Sequence, residues 1–571
     1  MGVRQWRDNH RMELFALVAM RKIQSALALL ALLFGVSPAL AQRQLEKLGR
    51  GIVAMRTGTS SAYVGWRLLG TDPENVGFNL LRSANGAAPV QLNGALLTNS
   101  CNFTDSTINF AVSNAYFIQP VVGSVTQALS APFGLAANPA TQQYLNIALQ
   151  KPADGNNASG PFTYSPNDCS AADLDGDGEY EIVLKWDPSN SKDNSQSGFT
   201  GNVFLDAYKL NGTLMWRIDL GPNIRAGAHY TQFMVYDLDG DGRAELACKT
   251  APGTKDGLGA YVDGNASFSV YTNSSGYILS GPEYFTIFNG LNGAKLWNTN
   301  YNVPRGTVAN WGDSYGNRVD RFLACIAYLD GVRPSVVMCR GYYTRAALCA
   351  WDWRNGVLTQ RWLFDTGDST SGPLAGYRGQ GAHSLTVGDV DGDGKDEITY
   401  GACAIDDNGT GLYSTGLGHG DAEHFSDMDP LSPGPEIWFV HESSSSYGPY
   451  GLELHEAGSG NIVFGYNGTS ADVGRGVAYD IDPRYPGYET WGAGGVLKSA
   501  TGEQITSSRP SQMNFCSWWD ADMLRESLDG TTIYKWNWTN NANNSIFSPG
   551  GLTSNNGTKS TPCLSGDILG D

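Results

Sequence analysis

Beyond residue 42 the apolar residues come in short alternating runs, broken at close intervals by Gly, Asn and Asp. Gly77-Phe-Asn-Leu-Leu-Arg82 is one such run, and a period of two predicts strands rather than helices. Further along, strand–turn–strand units ending on an aromatic recur. Ala207-Tyr-Lys-Leu-Asn211-Gly212-Thr-Leu-Met-Trp216, Phe288-Asn-Gly-Leu-Asn292-Gly293-Ala-Lys-Leu-Trp297 and Trp353-Arg-Asn355-Gly356-Val share the plan. Asn-Gly supplies the positive φ angles of a tight hairpin. At the N-terminus the pattern differs. Ala26–Phe34 is unbroken and apolar, Met20-Arg21-Lys22 precedes it, and Ala39-Leu40-Ala41 comes after it. That order predicts a secretory signal peptide over 1–41, cut after Ala41, with residues 1–19 as an upstream extension. A buried N-terminal helix is the alternative. No apolar run is long enough to span a membrane.

Three loops organise the rest of the chain. Asp173-Leu-Asp175-Gly-Asp177-Gly178-Glu-Tyr-Glu181 is repeated as Asp237-Leu-Asp239-Gly-Asp241-Gly242-Arg-Ala-Glu245 and as Asp389-Val-Asp391-Gly-Asp393-Gly394-Lys-Asp-Glu397. Carboxylates at positions 1, 3, 5 and 9, with Gly at 6, are what a hard cation needs from one tight turn. Each loop runs directly into a strand (Ile182–Trp186, Leu246–Thr250, Ile398–Tyr400), so these are calcium loops at strand turns and not EF-hands. Asp427-Met-Asp429 with Glu436 and Asp480-Ile-Asp482 with Glu489 are degenerate copies of one another. Weaker echoes start at Tyr328, Asp520 and Asp567. Eight starts predict an all-β chain whose residues 146–571 form an eight-bladed β-propeller with calcium-binding loops. A solenoid is the competing architecture. Residues 42–145 lack the loops and predict a small β-sheet domain ahead of the propeller.

Composition sharpens this picture. The chain has 571 residues, 71 of them Gly, 11% aromatic and 16% charged, with a net charge of −18. That much Gly and aromatic speaks against a helical bundle and against disorder. Without the leader, 33 basic and 54 acidic residues remain, a balance of −21. Such an excess of acid excludes nucleic acid as a partner held by side chains alone. None of the nine Cys has zinc-ligand spacing. One or two disulfides are compatible with the sequence, although isolated Cys in apolar strands are more often buried small hydrophobes.

In several of its segments the chain resembles polysaccharide lyase family 11, the rhamnogalacturonan lyases. Tyr164-Ser-Pro-Asn167-Asp168, Leu184-Lys185-Trp186-Asp187, Gly221-Pro-Asn-Ile-Arg225-Ala-Gly-Ala-His229 and Gly418-His419-Gly-Asp421-Ala-Glu423-His424 carry the likeness. Gly474-Arg475-Gly476 and Asn556-Gly557-Thr558-Lys559 extend it over the mature chain. The resemblance implies an eight-bladed propeller, several Ca²⁺ ions and β-elimination at the rhamnose–galacturonate bond of rhamnogalacturonan I, a pectin. An endolyase is expected ahead of an exolyase, and a monomer is expected. Family members continue past the final Gly570-Asp571, so the sequence is expected to be a fragment.

β-Elimination removes the C5 proton of a galacturonate and expels the C4 oxygen, so the adjoining carboxylate must be neutralised. Lys559, on an Asn-Gly-Thr turn, is the candidate base; its alternative is a solvated loop lysine. Arg475, between two glycines, is the candidate carboxylate clamp, against a structural salt bridge. Asn167, Asp187, Asn556, Gly557 and Thr558 match positions that hold sugar in the family. His383, His419, Asp421, Glu423 and Asp168 are candidate metal ligands beside the loop carboxylates, while His229 and His424 read as structural. Lys249 and Arg225 are candidates for a cleft wall. Two other classes compete: a non-catalytic calcium propeller that binds carbohydrate or protein, and a two-carboxylate hydrolase. The second needs a carboxylate pair not committed to calcium, and none is evident.

Overall fold

The computed structural model describes residues 43–520 and 522–554, so the expected leader and Asn556–Lys559 lie outside the described residues. Regular structure is almost entirely strand. Among the described residues its helical pieces are two short 3₁₀ turns and the single turn Ser444–Tyr447.

Residues 53–135 carry two antiparallel sheets. Val53–Arg56, Ala62–Gly65 and Asn102–Asp105 form one, and Val76–Ala84 with Asn114–Val122 form the centre of the other. Alternation decides which side chains face inward. Phe78 and Leu80 are buried while Asn79 between them is half exposed, and Leu80 pairs with Ile118 across the ladder. Trp66, fully buried, places its ring 5.6 Å from Phe78 and joins the two sheets through one core. Burial of each such side chain contributes about 1.5–3 kcal/mol.

Seven antiparallel four-stranded sheets come next, each a meander in chain order. Their first strands are Tyr164–Ala172, Phe233–Tyr236, Phe322–Ala327, Thr386–Gly388, Gly420–Ser426, Gly476–Tyr479 and Phe515–Ser517. From the first sheet to the sixth, each first strand lies beside the first strand of the next. The apolar clusters sit between neighbours: Val183 and Trp216 of the first sheet pack with Leu246 and Phe288 of the second. Phe285 of the second meets Val336 and Trp351 of the third. No sheet buries its faces alone, which is the stacking logic of repeat proteins. Seven of the eight expected repeat starts fall at the turn between first and second strands. The eighth, Asp567, is outside the described residues.

An N-terminal strap crosses the loop ends of the first three sheets. Gly49 N donates to Gly178 O (2.6 Å), Lys47 Nζ to Gly240 O (3.2 Å) and Gln44 N to Val332 O (2.7 Å). Arg67 adds a hydrogen bond to Gly178 O (3.2 Å) and stands 4.3 Å over the Tyr180 ring. The eight described Cys carry no disulfide, and six of them are buried.

Candidate functional site

Strand direction divides the polar residues into two groups. Every Asp turn closes a first strand, whereas the starts of first strands and the ends of second strands meet at the opposite edge of each sheet.

At the loop edge the first carboxylate organises each turn. Asp173 accepts N–H from Gly176 and Gly178 at 2.7 Å each. Asp237 does the same with Gly240 and Gly242 (2.7 and 3.0 Å), and Asp389 with Gly392 and Gly394 (2.7 and 2.9 Å). Gly178 has φ 87°, and a Cβ there would stand 2.8 Å from Gly49 N, so the strap and the turn both require glycine. The loop glutamate reaches back with one oxygen. Glu181 accepts from Leu174 N (2.9 Å), Glu245 from Leu238 N (3.0 Å) and Glu397 from Val390 N (2.9 Å). Its other oxygen is left for something else: Glu397 Oε1, Glu489 Oε1 and Glu526 Oε1 are buried without a hydrogen-bond partner among the described residues, as is Asp480 Oδ1.

Asp173, Asp175 and Glu181 each bring one oxygen within 4.8 Å of the others, as do Asp237, Asp239 and Glu245, and Asp389, Asp391 and Glu397. Burial, reinforced by the neighbouring aspartates, pushes Glu181 up to about 7, Glu245 and Glu397 to about 8 and Glu489 to about 9. Crowded, desolvated carboxylates with spare oxygens fit a hard divalent cation. Asp177, Asp241 and Asp393 sit on the outer limb of each loop and accept N–H from Glu179, Arg243 and Lys395 (2.9, 2.8 and 2.9 Å). In the degenerate copies, Glu436 accepts from Met428 and Asp429, beside Asp427, and Asp482 ion-pairs with Arg484 at 2.6 Å.

At the opposite edge the structure gathers His229, His383, His419, Glu442 and Asp421. His419 Nδ1 faces Gly381 O, and its Nε2 lies 3.1 Å from Glu442 Oε2. The imidazole beside it holds the Glu442 carboxyl below its usual range. Apart from one another, His419 Nε2 and Glu442 Oε2 have no partner among the described residues. A metal-ligating His commonly gives its other N–H to a backbone carbonyl, the position Gly381 O takes here. His383 stands between the Tyr342 and Tyr343 hydroxyls (3.1 and 3.0 Å) and 3.8 Å from Asp421. His383, His419 and Glu442 each offer one atom within 4.8 Å of the others. Two imidazoles and a carboxylate make a softer donor set than the loops. The His229 ring is 5.3 Å from His383 and its Nε2 lies 3.9 Å from Asp193, which Arg321 also approaches (3.6 Å).

The first sheet contributes Asn167 and Asp187 to the same edge. A bulge between Pro166 and Cys169 interrupts the ladder there and lets Asn167 Oδ1 accept Asp168 N–H (2.8 Å). Asp187 Oδ1 has no hydrogen-bond partner among the described residues, and burial raises its carboxyl against the opposing pull of Lys185. Arg475 is half-buried, directly before Gly476–Tyr479. The chain just ahead of it is tied to the Glu442 segment, because Val473 N donates to His441 O (3.2 Å).

Other expected ligands take different roles. Asp168 pairs with the buried Lys185 and stands apart from the Asp173 loop. Glu423 lies apart from the His383–His419–Glu442 group: its carboxylate accepts Thr386 Oγ1 (3.0 Å), Thr399 Oγ1 (2.5 Å) and Gly401 N (2.7 Å). A bulge between Gly420 and Ala422 breaks the even alternation that would have set Asp421 beside it. His424 bonds to Gly476 O (3.1 Å), and burial lowers it to about 4. Lys249 is buried on Glu283 (3.0 Å), which also binds Arg305 and Arg340. Arg225 is buried against Tyr230 and Gln196 O. Both brace the cleft edge from within. Glu442, Asp193, Tyr342 and Tyr343 were missed from sequence; for Glu442 the only signal is its place at the end of a second strand.

Residues 144–571 match the family described as rhamnogalacturonan lyase family 11, C-terminal domain, and residues 43–135 match the rhamnogalacturonan I lyases beta-sheet domain. The chain is 52% identical over 535 residues to the rhamnogalacturonan endolyase YesW of Bacillus subtilis (strain 168), covering 93% of this chain and 82% of that one. It is 50% identical over 548 residues to the rhamnogalacturonan exolyase YesX of the same organism, covering 93% and 86%. A solved structure of Bacillus licheniformis rhamnogalacturonan lyase PL11 superimposes with a TM-score of 0.85 at 53% identity, covering 93% of this chain and 88% of that one.

Proposed function

The chain belongs to rhamnogalacturonan lyase family 11 and is a polysaccharide lyase, and from that premise we propose a secreted, calcium-dependent enzyme. It cleaves the rhamnose–galacturonate bond of rhamnogalacturonan I by β-elimination, on an eight-bladed propeller. The observation that carries this reading is the His383–His419–Glu442 group at the edge that also holds Asn167, Asp187 and Arg475.

Asp187, with a buried oxygen lacking a partner, accepts a sugar hydroxyl, and Asn167 holds the same ring. Arg475 grips the galacturonate carboxylate, where a guanidinium can bind bidentately. A divalent ion held by His383, His419 and Glu442 would draw further negative charge from that carboxylate. With the carboxylate neutralised, Lys559 takes the C5 proton. The C5 electron pair forms the C4=C5 double bond, the C4–O bond breaks, and the departing rhamnose oxygen receives a proton. Calcium in the Asp loops serves the scaffold rather than the chemistry.

The test is incubation of full-length protein with rhamnogalacturonan I, following the ultraviolet absorbance of the unsaturated uronate. Absorbance that rises and is abolished by chelator supports the reading. Reducing ends without absorbance mean a hydrolase, and neither means a binding propeller. We carry endolytic action as the working reading. A viscosity that collapses before much product accumulates supports it, and slow viscosity loss with only short products overturns it.

A further inference from the structure

The residue opposite the loop glutamate, on the third strand of each sheet, changes character around the molecule. It is Lys209 in the first sheet, Asn289 in the second, Glu456 in the fifth and Ser499 in the sixth. In the seventh, the ladder that pairs Ser527 with Tyr534 places Glu526 opposite Lys535. Here the third strand inserts a cation into the acidic turn. Lys535 Nζ lies 2.5 Å from Asp520 Oδ2, 2.5 Å from Asp522 Oδ2 and 2.9 Å from Glu526 Oε1.

We propose that the seventh loop is closed by the chain's own Lys535 ammonium, which takes the seat a divalent ion takes in the Asp237 and Asp389 loops. This rests on the reading of those loops as divalent-ion sites. The turn itself supports the substitution. Asp520-Ala-Asp522-Met-Leu-Arg-Glu526 is two residues shorter than the nine-residue loops and lacks both the third aspartate and its glycine. Glu526 nevertheless behaves like its counterparts: it is fully buried, and Oε2 accepts Trp519 N–H (2.8 Å). Its Oε1, like that of Glu397 and Glu489, is buried with no hydrogen-bond partner among the described residues, and here the Lys535 ammonium stands 2.9 Å from it as an ion pair. A divalent ion added to this seat would stand beside an ammonium already held by three carboxylates, and close like charges in a partly desolvated turn repel strongly. A tethered cation also cannot diffuse away, so its effective concentration stays high in any buffer. Lys209 shows a weaker form, touching Asp175 at 2.5 Å but Asp177 and Glu181 only at 3.4 and 3.6 Å.

The experiment counts calcium bound per full-length chain by mass spectrometry in wild type, Asp239→Asn, Asp522→Asn and Lys535→Met, and records melting in chelator. Asp239→Asn, at the loop position that matches Asp522, should lose one ion and Asp522→Asn none, while Lys535→Met should gain one ion and melt below wild type in chelator. Loss of one ion in Asp522→Asn would overturn the proposal. So would a Lys535→Met protein with wild-type ion count and wild-type melting in chelator. If Lys535→Met does not fold, the Asp522→Asn count still decides. If Asp239→Asn loses nothing, the divalent-loop reading fails by itself, and the chelator melting of Lys535→Met decides the lysine's role.

Discussion

Stripping divalent ions should make stability fall as pH rises, and Glu245 gives the size of the fall. Its carboxyl is buried beside Asp237, Asp239 and Asp241, and burial with that company raises it from 4.5 to about 8. A carboxyl raised on folding binds its proton more tightly in the folded chain. Its stabilising effect is therefore complete below the unfolded value and is lost as pH climbs through the folded value. Between about pH 6 and about pH 8 this one group loses about 2 kcal/mol, taking 1.36 kcal/mol per pKa unit. Glu181, Glu397 and Glu489 shift in the same direction, so the losses act together. With calcium in the loops the same carboxylates stay ionised at no such cost, and the slope should flatten. Differential scanning calorimetry across that range, with chelator and with calcium, reads both slopes. A melting temperature of the stripped protein that is flat or rises with pH would refute the reasoning, as would an equal fall with calcium present.

Lys559→Ala should abolish turnover while bound calcium stays at the wild-type count; activity near wild type removes Lys559 as base. Glu442→Gln should cost one bound ion and most of the activity, since it takes the carboxylate charge from the His383–His419–Glu442 group. Glu423→Gln should instead keep the ion count and lower stability by about 1–3 kcal/mol, because an amide cannot accept all three hydrogen bonds of the buried carboxylate. Arg67→Ala should lower the melting temperature without changing kcat. It removes contacts between the N-terminal sheets and the first Asp loop, far from the cleft edge.

The parts that could be read from sequence are those whose physics is local. An Asp173 loop needs only its own nine residues and the strand after it, so loop, turn and strand are visible together, and seven sheets stand where the repeat predicts. The cleft is not local. Glu442 meets His419 because Glu442 N donates to His419 O across two strands (3.0 Å), a relation no spacing of 23 residues announces. Glu423 shows the opposite case. An Asp-x-Glu pair beside a His suggests one ligand set, but the Gly420 bulge and the waiting hydroxyls of Thr386 and Thr399 take Glu423 into the core. His229, read from sequence as structural, reaches the site only because the starts of neighbouring first strands converge.

The strap from Gln44 to Gly49 bears on the order in which the molecule assembles. The backbone that Gln44 grips, Val332, emerges from the ribosome about 290 residues after Gln44 itself. At roughly 5–20 residues per second the strap waits on the order of 15–60 s for its last partner. Its first anchor, Gly178, becomes available well before that, so docking proceeds from Gly49 backwards to Gln44. The N-terminal sheets can complete their own core in the interval while hanging from an unfinished frame. The strap is made before the frame it ties and settles after it.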